Sequence, residues 1–190
     1  MSNYFSYFPT IQHDLKDTNV KTELTNVLRR FIVKSKAKDT IGTYYDYIMQ
    51  EGDRPDTIAA KYYGDENLAW LVLHFNDILD PYYDLPLYGQ DFPNFIKEKY
   101  GSVTTANSTV KYYYKILEEE KLLIDGTKIE RREVRIDLKT YNSLAGTPNL
   151  RRSQTVYEWE EELNEDRKNI KLLDKRYVTQ IIRELATVLR

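Results

Sequence analysis

The side chains best equipped for chemistry in this 190-residue chain are carboxylates. Asp77, Asp80 and Asp84 crowd one proline-bounded loop, and Glu158, Glu160, Glu161 and Glu162 form a run further on. Paired carboxyls carry out acid–base hydrolysis only when a cleft holds them at set separations. Asp77 and Asp80 read instead as turn caps, and the glutamate run as a solvated charged face. His13 and His74 stand far apart in sequence, and neither belongs to an H-E-x-x-H pair that would fix a metal. His74 sits between Val72 and Phe75 in an apolar helical pattern, which suits a partly buried, hydrogen-bonded residue, whereas His13 reads as exposed. Cysteine is absent, so there is no disulfide framework, thiolate nucleophile or Cys-ligated metal. The seven glycines lie ten or more residues apart, which excludes both glycine-rich phosphate cradles and the G-x-S-x-G nucleophile elbow. The expectation is a non-enzymatic protein with no catalytic residue, metal or cofactor.

Charge points the same way. Lys and Arg number 28 against 30 Asp and Glu, a net charge of -2 that argues against nucleic acid as a partner. The pairs Arg29-Arg30, Arg131-Arg132 and Arg151-Arg152 read as solvated faces or protein contacts. No apolar run approaches the ~18 residues of a membrane span, and the first residues lack the pattern of a signal peptide; a soluble, intracellular chain is expected. Tyrosine is in excess, with 17 residues clustered at Tyr44, Tyr45 and Tyr47, at Tyr62 and Tyr63, at Tyr82 and Tyr83, and at Tyr112 to Tyr114. Neighbouring tyrosines of a strand face opposite ways, so they cannot all be core. An amphipathic ring with two torsions suits protein–protein contact.

The elements that would position these residues fall into four stretches. Residues 1–40 read as an arm with the aromatic cluster Tyr4, Phe5, Tyr7 and Phe8, followed by a short helix through Leu24, Val27, Leu28 and Phe31. Residues 41–101 read as a strand ending at a Glu51-Gly52 turn, then a helix N-capped by Asp53 that carries Ile58, Ala59 and Tyr62 and stops at Gly64. Asp65 opens a second helix with Leu68, Leu71, Val72 and Phe75 on one face and Asn76 as its left-handed stop. A third runs from Asp91 to Tyr100. Residues 102–154 alternate as a small antiparallel sheet, including Val134, Ile136 and Leu138, with an Asp125-Gly126 hairpin and a closing linker up to Gln154. Residues 155–190 read as helical, with a helix through Val156, Trp159 and Leu163 and an apolar stripe of Val178, Ile181, Ile182, Leu185, Val188 and Leu189 behind Asp174. Between those helices, Asn169 to Leu173 fits a strand or a helix equally. The fold class expected is α+β.

The stretch from Tyr44 to Asp84 resembles a LysM module in its order of strand, Gly-Asp turn, helix, Tyr-Gly stop and second helix. More specifically, Glu51 to Trp70 followed by Asn76 to Asp84 is similar to the baseplate wedge proteins of T4-like contractile phages, the gene fifty-three product family. The resemblance implies a LysM-like βαα(β) module whose signature and groove residues are Gly52, Asp53, Pro55, Ile58, Ala59, Tyr63, Gly64, Asn76, Ile78 and Pro81. The usual return strand is missing after Pro86; if one exists, Asn169 to Leu173 supplies it from downstream and the β segment is an insertion.

What the resemblance implies is a structural subunit that bridges neighbouring wedges into a ring within the virion tail, after assembly in the host cytoplasm. Its partners would be other wedge proteins and a sheath-initiator-type protein. Tyr4, Phe5, Tyr7, Phe8, Tyr82, Tyr83, Leu185 and Leu189 are the expected contact residues. The alternative is a LysM-type module binding N-acetylglucosamine glycans such as peptidoglycan or chitin, with Tyr82 and Tyr83 stacking on sugars.

Overall fold

The computed structural model describes residues 4–14, 17, 19–29, 33, 38, 40–124 and 126–189. The protein is α+β, and every strand pairing is antiparallel. In chain order come β1 (Thr10–His13), β2 (Thr22–Thr25), β3 (Tyr44–Ile48), α1 (Pro55–Tyr63) and α2 (Ala69–Phe75). Then follow α3 (Asp91–Tyr100), α4 (Val103–Ser108), β4 (Val110–Glu118), β5 (Lys121–Leu122), β6 (Lys128–Ile129) and β7 (Arg132–Ile136). Last are α5 (Leu138–Ser143), β8 (Arg151–Thr155), α6 (Val156–Asp166), β9 (Asn169–Leu173) and α7 (Lys175–Val188). They form two units, one of residues 1–86 with 167–190 and one of residues 87–166, so the second interrupts the first.

The interrupted unit closes around a strand from far downstream. β9 pairs with β3 from Tyr44 opposite Leu173 to Ile48 opposite Asn169. Alternation sends Ile170 and Leu172 into a core with Met49, Ile58, Ala59 and Val72. The helix α1 begins at Pro55, but Asp53 is not its N-cap. Arg54 takes that position, its amide donating to Thr57 Oγ1 (2.9 Å), because the Asp53 carboxylate is already engaged by the Tyr47 hydroxyl (2.7 Å) and the Gln50 amide (2.9 Å). Gly64, at φ 81°, ends α1 in the left-handed conformation that costs glycine least. Asp65 accepts from the Asn67 amide and caps the 3₁₀ turn Glu66–Leu68 that leads into α2. The left-handed residue after α2 is Asp77 (φ 56°) rather than Asn76 (φ -100°). Asn76 is drawn elsewhere: its Nδ2 donates to the carbonyls of Val72 and Lys171 (both 2.8 Å), and its Oδ1 accepts from the Lys171 amide (2.7 Å).

A second cluster in this unit gathers Phe8, Trp70, Leu71, Phe75, Leu173, Leu185 and Leu189. Burying each of these side chains contributes about 1.5–3 kcal/mol. The helix α7, capped by Asp174 through the Arg176 amide, supplies Leu185 and rests Val178, Ile181 and Ile182 against the cluster, while Val188 of the same stripe stays exposed. The first residues do not form a free arm. Tyr4–Tyr7 is a 3₁₀ turn whose Tyr4 ring stacks on Trp70 (centroids 5.3 Å apart) and whose hydroxyl meets His74 Nε2 at 3.0 Å, and Phe8 is buried. Nor does a helix run through Leu24. Thr22–Thr25 is a strand on β1 and Val27 and Leu28 lie in a turn; Arg30 and Phe31 lie outside the described residues. Threonines at both ends of β2 favour the extended chain, and pairing with the preceding strand β1 overrides a four-residue helical spacing.

The inserted unit is built on the sheet β7-β4-β8. Two expectations give way here. Leu138 does not extend β7 but begins α5, because Asp137 accepts from the Lys139 and Thr140 amides as an N-cap. The stretch read as a linker runs into β8, whose Arg152 and Gln154 side chains both find partners. Arg152 stacks on Tyr114 (4.9 Å) and pairs with Glu133 (2.5 Å), while buried Gln154 lies between the Tyr114 hydroxyl (3.0 Å) and Glu162 (2.6 Å). The hairpin stands where expected, with β5 on β6, the Leu123 amide bonded to the Thr127 carbonyl (2.8 Å) and Gly126 at φ 84°. Asp125 lies outside the described residues. A small core of Phe92, Ile96, Ala106 and Val156 sits between the helices. Asn164 closes the unit, accepting from the Leu87 amide (2.7 Å) and donating to the Leu87 carbonyl (2.9 Å).

Candidate interaction surface

The loop after α2 is a pedestal. Asp84 Oδ2 accepts the amides of Leu79 and Asp80 (both 3.0 Å), and Asp80 Oδ1 accepts the amide of Tyr82 (3.0 Å). The Asp80 and Leu79 amides hold the Asp84 carboxyl below its usual range, against the opposing effect of burial. Asp77 is paired with Lys38 at 2.5 Å. These acids are structural, as turn caps should be. Ile78 anchors the loop from below through its amide to the Leu73 carbonyl (3.0 Å), and Pro81 is exposed. The loop carries Tyr82 and Tyr83 edge to face (centroids 5.0 Å apart), 74% and 52% exposed.

The other signature residues form scaffold. Gly52 (φ 84°) makes the turn after β3, Pro55 starts α1, and Ile58 and Ala59 are buried beneath β9. The Tyr63 hydroxyl donates to the Leu173 carbonyl (3.1 Å), and burial raises its pKa, which keeps it a donor. Burial also opposes ionisation of Asp53, but the Gln50 amide, the Tyr47 hydroxyl and Lys61 (3.0 Å) outweigh it and lower the pKa. A cleft of about 450 Å³ opens between the α2 loop and β9, bordered by Asn76, Ile78, Asp84, Arg167, Asn169 and Ile170. Asp53 and Pro55 do not line it.

Of the eight expected contact residues, three are withdrawn into the unit's own interior. Leu185 and Leu189 are 3% and 1% exposed, and Phe8 is buried, because all three complete the cluster around Trp70 and Phe75. Tyr4 joins that cluster from its edge, as does Tyr7, while Phe5 remains exposed. The glutamate run is not a uniform solvated face either. Glu160 is 1% exposed and accepts from Lys99 Nζ (2.7 Å) and the Tyr100 hydroxyl; Glu158 and Thr155 form a reciprocal capping box at the start of α6. His74 is hydrogen-bonded as expected, and His13 is exposed. Among the described residues no three His, Asp or Glu gather to hold a metal, and no helix is long and apolar enough to cross a membrane.

Sequence reasoning missed one exposed apolar patch. The β5–β6 hairpin presents Leu122, Leu123 and Ile124 outward above a neck of ion pairs, Lys128 with Glu120 (3.2 Å) and Arg131 with Glu119 (3.3 Å). The signal was present as three consecutive apolar residues in a two-stranded hairpin, which has no second layer to bury them.

Rigidly mounted rings and an apolar hairpin tip, on a frame whose carboxylates are occupied in structure, suit a protein that works by contact. The sequence pattern of the base plate wedge protein 53 family matches residues 4–188, and the chain belongs to that family of phage base plate wedge proteins. It is thus a structural component of the phage tail. A comparison with curated proteins finds no match.

Proposed function

We propose that the chain bridges neighbouring wedges into a ring through protein–protein contacts, with other wedge proteins and a sheath-initiator-type protein as partners, and that it has no catalytic role. The observation that carries this reading is the Tyr82-Tyr83 pair, held outward on a loop whose backbone is fastened by Asp80 and Asp84. Rigid aromatic anchors lose little conformational entropy on docking and dominate interface energetics. A bridge needs at least two contact surfaces, and the hairpin tip at Leu122 to Ile124 is the second. Joining two modest contacts through one chain multiplies their strength without any new contact. The protein acts in the virion tail after assembly in the host cytoplasm.

The order β3, α1, α2, β9 also supports a LysM-like module with its return strand supplied from downstream, so glycan binding remains the second reading. One experiment separates the two. Phage lacking the gene is complemented with Tyr82→Ala/Tyr83→Ala, with Leu122→Ser/Ile124→Ser, or with both. Stalled single wedges are expected from the combined variant. Complete base plates from that variant, together with calorimetric heat on adding chito-oligosaccharide to the parent chain, would decide for the glycan.

A further inference from the structure

The outer edge of β9 runs into the cleft, and part of its backbone is not used by any described residue. In an antiparallel pair, bonded and non-bonded positions alternate. The Met49 amide donates to the Lys168 carbonyl (2.8 Å) and the Asp174 amide to the Thr43 carbonyl (2.9 Å), which sets the phase. Ile170 and Leu172 therefore bond to β3, while Asn169, Lys171 and Leu173 turn their amides and carbonyls outward. Side chains of the unit claim groups of the last two: Asn76 takes both of Lys171, and Tyr63 takes the Leu173 carbonyl. The outward amide and carbonyl of Asn169 have no partner among the described residues, and Asn169 borders the cleft. An unpaired strand edge of this kind is a template for another chain.

Two residues before it, Arg167 lines the same cleft, and its guanidinium makes no hydrogen bond or ion pair among the described residues. Asp84 feels its charge, which helps to lower that carboxyl, but forms no ion pair with it. Asp84 Oδ2 is taken by two backbone amides and Asp77 by Lys38. The cleft thus pairs one open rung of strand edge with one guanidinium whose N–H groups are not hydrogen-bonded among the described residues, the group that grips a carboxylate through two parallel bonds. At about 450 Å³ it admits a few residues of extended chain.

We propose that this cleft captures an extended acidic segment of a neighbouring base plate subunit, pairing with it at Asn169 and holding its carboxylate on Arg167. The proposal deepens the bridging function above and rests on it for the identity of the subunit. Strand addition supplies affinity through the backbone, and the Arg167 contact selects an acidic side chain.

The test titrates the nitrogen-15-labelled full chain with a blocked pentapeptide, acetyl-Thr-Val-Glu-Val-Thr-amide, and with its Gln-for-Glu counterpart. Shifts should centre on the Asn169 amide and the Arg167 Nε–H, and the Glu peptide should bind about tenfold more tightly, as expected for one charge-assisted contact. Arg167→Gln should remove that preference, and Arg167→Lys should restore part of it; a dispersed spectrum confirms that each variant is folded. Equal binding of the two peptides, shifts centred elsewhere, or shifts given by chito-oligosaccharide and by neither peptide would each overturn the proposal. So would complete base plates at the parental yield from Arg167→Gln in complementation. Failure of the bridging reading is visible separately, because it is read from the Tyr82 and Leu122 variants, which leave the cleft intact.

Discussion

The two units differ in how they hold themselves together. Among the described residues the interrupted unit has two apolar clusters with seven and six buried residues, and the inserted one has a single cluster of four. The inserted unit makes up the difference with charge and rings. Lys111 stands 4.2 Å from the Trp159 centroid, Arg135 4.5 Å from Tyr112 and Arg151 4.5 Å from Tyr141, while Glu160 and Gln154 are buried with their partners. Apolar burial is non-directional and is not weakened by charge screening; cation–π and ionic contacts are weaker singly, depend on geometry and are screened. One unit is therefore fastened mainly by area and the other largely by polar pairing, although a nearly identical device closes each. A single Asn side chain brackets the backbone of a residue 95 positions away in the first, Lys171, and 77 away in the second, Leu87.

Substitutions can break this contrast. The largest effect is expected from Phe75→Ala, which opens a cavity in the interrupted unit and should cost about 3–5 kcal/mol in urea unfolding, with little dependence on salt. Next comes Glu160→Gln. It removes the charge that meets Lys99 and Tyr100 and should cost about 1.5–3 kcal/mol, lowering exchange protection in residues 87–166 first. If the inserted unit of the parent chain proves as insensitive to sodium chloride as the other, the contrast fails.

Asn76→Ala and Asn164→Ala should each cost about 1–3 kcal/mol by orphaning backbone groups. The first should speed hydrogen exchange at Lys171, the second at Leu87. A smaller effect appears with acid. The Arg176 side chain, and then its amide, lowers the Asp174 carboxyl to about 2 from an ordinary 3.8. A lowered folded-state pKa means this contribution is whole above about pH 4 and is lost as pH falls towards 2. Asp174→Asn keeps the helix cap but not the charge, so its melting temperature should vary less across that window than that of the parent. Smallest of all, Tyr82→Ala/Tyr83→Ala should move stability by less than about 0.5 kcal/mol, even though the same variant is expected, on the proposed function, to weaken wedge joining.

Local punctuation was the legible part of the fold. Gly64 and Gly101, the cap at Asp65 and the stripe on α7 are nearest-neighbour signals, and α1 to α3, α6 and α7 lie where those signals put them. What stayed hidden depends on distant partners. Arg151 to Thr155 has no apolar alternation because its side chains find rings and carboxylates on β4, β7 and α6. The aromatic residues at 4–8 gave no hint that Trp70 and His74 would receive them. Asp53 and Asn76 looked like helix terminators because their types favour that role, and only the folded chain assigns them to Tyr47, Gln50 and Lys171 instead. In the candidate site, Tyr82 and Tyr83 are exposed as expected, whereas the edge of β9 was invisible while its partner strand was undecided.

The distance between β3 and β9 also has a timetable. A ribosome adds about 5–20 residues per second, so on the order of ten seconds pass between the emergence of Asn76 and that of the Lys171 it fastens, 95 positions later. Throughout that interval the inner faces of α1 and α2 lack Ile170 and Leu172, whereas residues 87–166 are complete and contiguous before it ends. The inserted unit is expected to fold first on the nascent chain, with Asn164 drawing its two ends together at Leu87. β9 and α7 then finish what β3, α1 and α2 began.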